Sequence, residues 1–92
     1  EHILPATHSD DMELSIDDHE RCVSRIGNYV PLERSINRDA DRAPFQRKLE
    51  LYAHSTYLLA KQIAGESWTP ESIRQRSRAY AARAAHIWRV DV

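Results

Sequence analysis

The 92-residue chain holds one cysteine, two glycines and no long apolar run. A lone Cys22 excludes an internal disulfide framework and a structural zinc site built on several thiolates, and it suits a reducing cytosol. No stretch approaches the roughly 18–20 apolar residues that a membrane-spanning helix needs. The two glycines, Gly27 and Gly65, read as punctuation, and there are no internal repeats or low-complexity stretches. Basic residues are missing from the first twenty positions, where seven acids stand without a Lys or Arg. The initiating Met is missing too, so a single domain over residues 1–92 is expected, as a fragment of a larger protein.

What is present is ordinary in bulk and uneven in distribution. Hydrophobic residues make up 41% and charged residues 29%, which is too apolar for disorder and fits a soluble globular domain with a modest core. The net charge of −1 hides a split: residues 21–92 carry all thirteen bases against seven acids, and eleven of the thirteen are Arg. Arginine favours bidentate contacts to phosphate. The plainer reading is solvated helix faces with partners three or four residues away.

Along the chain, His2-Ile3-Leu4 reads as a strand end stopped by Pro5, and Ala6 to Ser15 as an acidic loop. Asp17 to Ser24 predicts a short helix with acids at its positive end, broken by Gly27-Asn28. Tyr29-Val30-Pro31-Leu32 reads as a second strand, with Pro31 confined to an edge or the strand end. Glu33 to Arg38 predicts another short helix. Pro44 opens a long one whose apolar face is Phe45, Leu49, Tyr52, Thr56, Leu59 and Ile63, stopped by Gly65. Thr69-Pro70-Glu71 starts the last helix, with Ile73, Tyr80, Ala84, Ile87 and Trp88 as its buried stripe. The expected class is α+β, mostly helical: a small two-strand unit followed by two longer helices. In so thin a core Trp68 and Trp88 supply much of the burial.

Three places carry chemistry: Glu1-His2-Ile3-Leu4-Pro5, Gly27-Asn28 and Asn37. Phosphodiester hydrolysis needs a base to take a proton from water, a cation to stabilise charge on the phosphate, and a group that holds the base. Histidine is a base near neutral pH. Mg²⁺ takes oxygen ligands and needs only one or two from protein, so a carboxylate and an Asn carbonyl suffice. The nine residues from Asn28 to Asn37 span a strand, a tight turn and a first helical turn. Each residue also has an ordinary reading. His2 alone suits a turn or core, Glu1 a solvated acid, Asn28 a turn, Asn37 an exposed helix face, and Arg47 and Lys48 a helix surface. Tyr52 and Tyr57 read as core, Cys22 as a small buried hydrophobe, and Arg76 as structural.

The opening Glu-His-Ile-Leu-Pro resembles the Asp-His-Ile-x-Pro segment of HNH, His-Me finger or ββα-metal, endonucleases. The order His2-x-x-Pro5, Ile26-Gly27-Asn28, Asn37, Pro44-Phe45, Lys48, Tyr52, Trp68, Ile73, Arg76 and Trp88 resembles, over essentially the whole chain, the C-terminal HNH nuclease domain of GmrSD-type modification-dependent restriction endonucleases. The resemblance implies a ββα-metal core and a metal-dependent DNA endonuclease. It makes His2 the general base, Asn28 the residue that orients it, and Glu1 and Asn37 the ligands of Mg²⁺ or Mn²⁺. Arg38, Arg47 and Lys48 become candidates for DNA phosphates. Glu1 departs from the commoner Asp by one methylene, and Pro31 from the usual strand. The resemblance also implies a bacterial cytoplasmic defence enzyme acting on foreign or modified DNA, with an N-terminal nucleotide-hydrolysing sensor domain and no membrane partner. The rival readings are a non-catalytic Arg-rich DNA-binding module, a protein-interaction module, and an RNase toxin.

Overall fold

The computed structural model describes residues 1–87 and is mostly helical. In order come α1 (Ile16–Cys22), a 3₁₀ turn (Ile26–Asn28), α2 (Arg34–Ala40), α3 (Phe45–Tyr52), α4 (Leu58–Lys61) and α5 (Pro70–Ile87). No described helix is long and apolar enough to cross a membrane.

The two expected strands reduce, among the described residues, to a single antiparallel bridge between His2 and Tyr29. Val30 N donates to Glu1 O at 3.0 Å and Ile3 N to Asn28 O at 2.9 Å. The ladder ends there for local reasons. Before Asn28 the chain is wound into the 3₁₀ turn, so Leu4 N finds the Asn28 side chain instead of a strand carbonyl. Past Val30, Pro31 has no N–H to give. A sheet, and with it the ββα core, is therefore not formed by the described residues.

The helices start where their capping residues stand. Ser15 Oγ accepts from Asp18 N at the head of α1, and Asp17 and Asp18 sit on its positive end. At α5, Ser72 N donates to Thr69 Oγ1 and Thr69 N to Ser72 Oγ, both at 3.2 Å, a reciprocal cap with serine at the third position. The acidic loop is folded back by two histidines: His8 bonds Leu14 O and the buried His19 bonds Pro5 O.

The long helix expected after Pro44 is two helices. Between them lies Ser55-Thr56-Tyr57, a run of poor helix formers. Ser55 Oγ accepts from Tyr57 N at 3.0 Å, and Glu33 Oε1 accepts from Thr56 N at 2.7 Å and from the Ser55 and Thr56 hydroxyls. Side chains thus take the amides that a continuing helix would use. Thr56 and Tyr57 point outward, the latter 46% exposed rather than in the core as expected.

The core has two parts. Ile3, Val30, Ala40, Tyr52, Ala60 and Ile63 form one, and Leu4, Cys22 and Ile73 the other, with Trp68 packed against both. The 3₁₀ turn lies directly on α5: a Cβ on Gly27 would stand 2.2 Å from Ile73 O, so only glycine fits. On α5, Ile73 is buried and Tyr80 half-buried, but Ala84 is exposed, against expectation. The side chain of Ile87, and Trp88 and Arg89, lie outside what the structure describes.

Candidate active site

Asn28 is the centre of the front end. It is fully buried and all four of its hydrogen-bonding positions are used. Oδ1 accepts from Leu4 N at 2.7 Å and Trp68 Nε1 at 3.1 Å, while Nδ2 donates to Leu4 O and Val23 O, each at 2.9 Å. One side chain thereby ties the Glu1–Leu4 segment to the end of α1 and to Trp68. This is more than a turn residue does, and it makes Asn28 a structural anchor for Leu4, two residues on from His2.

His2 is held by its backbone and packed by its ring. Its carbonyl accepts from Lys48 Nζ at 2.7 Å, and its imidazole lies 4.4 Å from the half-exposed Tyr29 ring, tilted by 49°. Among the described residues no hydrogen bond engages a ring nitrogen of His2, and the side chain is only partly covered. Burial lowers its pKa below the ordinary 6.5; the N-terminal ammonium and then the Lys48 ammonium act the same way, and the Glu1 carboxylate opposes. The neutral imidazole therefore prevails near neutral pH.

Tyr29 is itself fixed from behind. Arg76 donates through one guanidinium nitrogen to Gly27 O at 3.0 Å and to Tyr29 O at 2.6 Å. Its other nitrogen reaches the Tyr80 hydroxyl, and the guanidinium stacks over that ring. Gly27 N donates to Ser77 Oγ at 2.9 Å. A structural role for Arg76 was legible in the sequence, but its true targets, two carbonyls on the His2-facing segment, were not.

Glu1 and Lys48 form the one buried ion pair among the described residues, 3.1 Å from Lys48 Nζ to Glu1 Oε2, with side chains 0% and 4% exposed for Lys48 and Glu1. Tyr52 OH donates to the same oxygen at 2.8 Å. Burial pushes the Tyr52 hydroxyl pKa far up, so it stays a neutral donor. Burial also lowers the Lys48 pKa, while Glu1 pulls it back. Lys48, a candidate from the sequence for a phosphate contact, is buried in the structure. Its ammonium donates to Glu1 Oε2 and to the His2 carbonyl.

The structure thus brings Glu1, His2, Asn28 and Lys48 together. Asn37 and Arg38 are exposed on α2 and Arg47 is exposed on α3, where it pairs with Glu50 at 2.8 Å; no hydrogen bond or ion pair joins these three to the cluster. Sequence reasoning missed two residues, Tyr52 as a donor to Glu1 and Tyr29 as the neighbour of the His2 ring. The spacing of Lys48 and Tyr52, one helical turn apart, carried the first signal, though not its target.

For a divalent ion, no three His, Cys, Asp or Glu side chains converge among the described residues. The donors that fit are hard oxygens. Glu1 Oε2 is occupied, while Oε1 receives no hydrogen bond from a described residue. The Asn37 amide is exposed and likewise unengaged. No contact among the described residues joins these two oxygens, and a ligand set of this kind would leave most of an ion's coordination sphere to water and substrate oxygens.

Residues 1–83 match the family model described as GmrSD restriction endonucleases, C-terminal domain. No curated protein and no solved structure matches the chain.

Proposed function

The chain belongs to the C-terminal domain family of the GmrSD restriction endonucleases, and from that premise we propose that it is the metal-dependent DNA-cutting module, of HNH type, of a bacterial defence enzyme. The observation that carries the reading is the double anchoring of the His2 segment, by four-fold bonded Asn28 and by Lys48, beside a carboxylate with one oxygen to spare. A packed, hydrogen-bonded frame around an otherwise unengaged, neutral imidazole is what a positioned base requires.

In this reading His2 takes a proton from water at a ring nitrogen as that water attacks the phosphorus and the bond to the 3′-oxygen breaks. Lys48 holds the His2 carbonyl, Asn28 holds the following Leu4 backbone, and Tyr29 limits the swing of the imidazole. Mg²⁺ or Mn²⁺ held by Glu1 and Asn37 would stabilise charge on the phosphate and the leaving oxygen. Arg38 and Arg47 contact phosphates; the exposed Arg47–Glu50 pair is weak enough to open for DNA. Target choice belongs to an N-terminal nucleotide-hydrolysing domain of the parent protein, in the bacterial cytoplasm.

The test is nicking of supercoiled plasmid with Mg²⁺, Mn²⁺ or EDTA. His2→Ala should lower metal-dependent nicking by about 100-fold or more while thermal unfolding is unchanged. Full cutting by the folded variant overturns the base assignment. Asn37→Ala should weaken metal dependence; unchanged metal affinity and rate remove it from the ligand set. A non-catalytic DNA-binding reading has one observation in its favour, the exposed Arg78 and Arg83 on α5. It predicts salt-dependent binding and no product.

A further inference from the structure

Glu1 is not held as a solvated acid. Two donors from one helix face, Lys48 and Tyr52, close on a single oxygen, Oε2, at 3.1 and 2.8 Å. Both donors come from α3, so their separation is fixed by the helix itself. Lys48 uses a second proton on the His2 carbonyl at 2.7 Å, so the ammonium joins the carboxylate to the backbone of the adjacent residue. The Lys48 and Tyr52 side chains are buried, at 0% and 1% exposure. A buried ion pair is a poor means of gaining stability, because an apolar pair of like volume does as well. What the arrangement does provide is a fixed carboxylate: a glutamate has one more rotatable bond than an aspartate, and the Lys48 and Tyr52 side chains remove that freedom.

We propose that Lys48 and Tyr52 are positioning residues that lock Glu1 through Oε2 and so present Oε1, in fixed register with His2, to the divalent ion. The inference rests on the nuclease reading above. Tyr52 is the sharper probe, because its hydroxyl is neutral and its removal leaves the local charge unchanged. Lys48→Arg is the second probe, since it keeps the charge but cannot keep the same two bonds.

The experiment is a calorimetric titration of the intact protein with Mn²⁺ in the absence of DNA, followed by the Mn²⁺ dependence of plasmid nicking. Thermal unfolding serves as the control for folding. Tyr52→Phe should weaken Mn²⁺ binding by about 10-fold, the usual scale for losing an outer partner of a ligand. Its nicking should fall at limiting Mn²⁺ and recover at saturating Mn²⁺. Lys48→Arg should weaken binding in the same direction, and His2→Ala should leave the Mn²⁺ affinity unchanged while removing nicking. Wild-type affinity and Mn²⁺ dependence in either folded variant, Tyr52→Phe or Lys48→Arg, overturn the positioning role and leave the nuclease reading standing. A wild-type protein that neither binds Mn²⁺ nor nicks DNA overturns both.

Discussion

The inner and outer faces of α3 carry the same kind of pair with opposite consequences. Arg47 and Glu50 meet at 2.8 Å on the outside, with side chains 58% and 67% exposed. Lys48 and Glu1 meet at 3.1 Å on the inside, with side chains 0% and 4% exposed. Distance does not separate them; solvent does. The outer pair is screened and each partner is content in water, so it stabilises little and is free to exchange Glu50 for a phosphate. The inner pair has no such exchange open to it. Each charge depends on the other, and the geometry is fixed by Tyr52 and by the His2 carbonyl. Adjacent residues in the sequence therefore belong to different environments: one to a solvated surface, the other to a buried frame around Glu1 and the His2 carbonyl.

The contrast can be broken at several points. Lys48→Met should destabilise the fold by about 3–5 kcal/mol in denaturant unfolding, because Glu1 is left as an uncompensated buried charge. Replacing Glu1 and Lys48 together by apolar residues should recover much of that loss, although the site is destroyed. Asn28→Ala should cost about 3 kcal/mol, since Leu4 N and Trp68 Nε1 lose their acceptor in a buried place.

Glu33 gives a pH-dependent effect. Its carboxyl is held down at about 2, chiefly by the Thr56 backbone amide and then by the Thr56 hydroxyl, against an ordinary 4.5. The native state therefore favours the ionised form. The stabilisation is complete above pH 4.5 and is lost as the pH falls towards 2. The stability difference between wild type and Glu33→Gln, measured by urea midpoint, should shrink over that window. Arg47→Ala should be the smallest effect, below about 1 kcal/mol. A loss there as large as that of Lys48→Met would erase the distinction between the two faces.

Much of the punctuation was legible. Gly27-Asn28, Pro44 and Thr69-Pro70 mark boundaries because their backbone preferences act locally, and each lies at or beside an element end. The apolar spacing found Phe45, Leu49, Tyr52, Leu59 and Ile63 on the inward side, yet joined α3 to α4. The joint is held open by Glu33, 23 residues from Thr56, which no periodicity reveals. Two short apolar segments gave a strand signal that cannot distinguish a sheet from one bridge. At the site, the chemistry-bearing types His2 and Asn28 stood out. Lys48 was read as surface because a lysine usually is, and its partner Glu1 is 47 residues away. A buried contact between distant charged residues leaves almost no trace in the order of the chain.

In the proposed nuclease, the frame of Asn28, Lys48 and Glu1 holds His2 as a base. The most direct measurement is chemical rescue: metal-dependent plasmid nicking by folded His2→Ala protein, with and without added imidazole. A His2 base predicts near-complete loss in the variant and partial recovery as imidazole rises. Nicking by the variant at the wild-type rate without imidazole would contradict it.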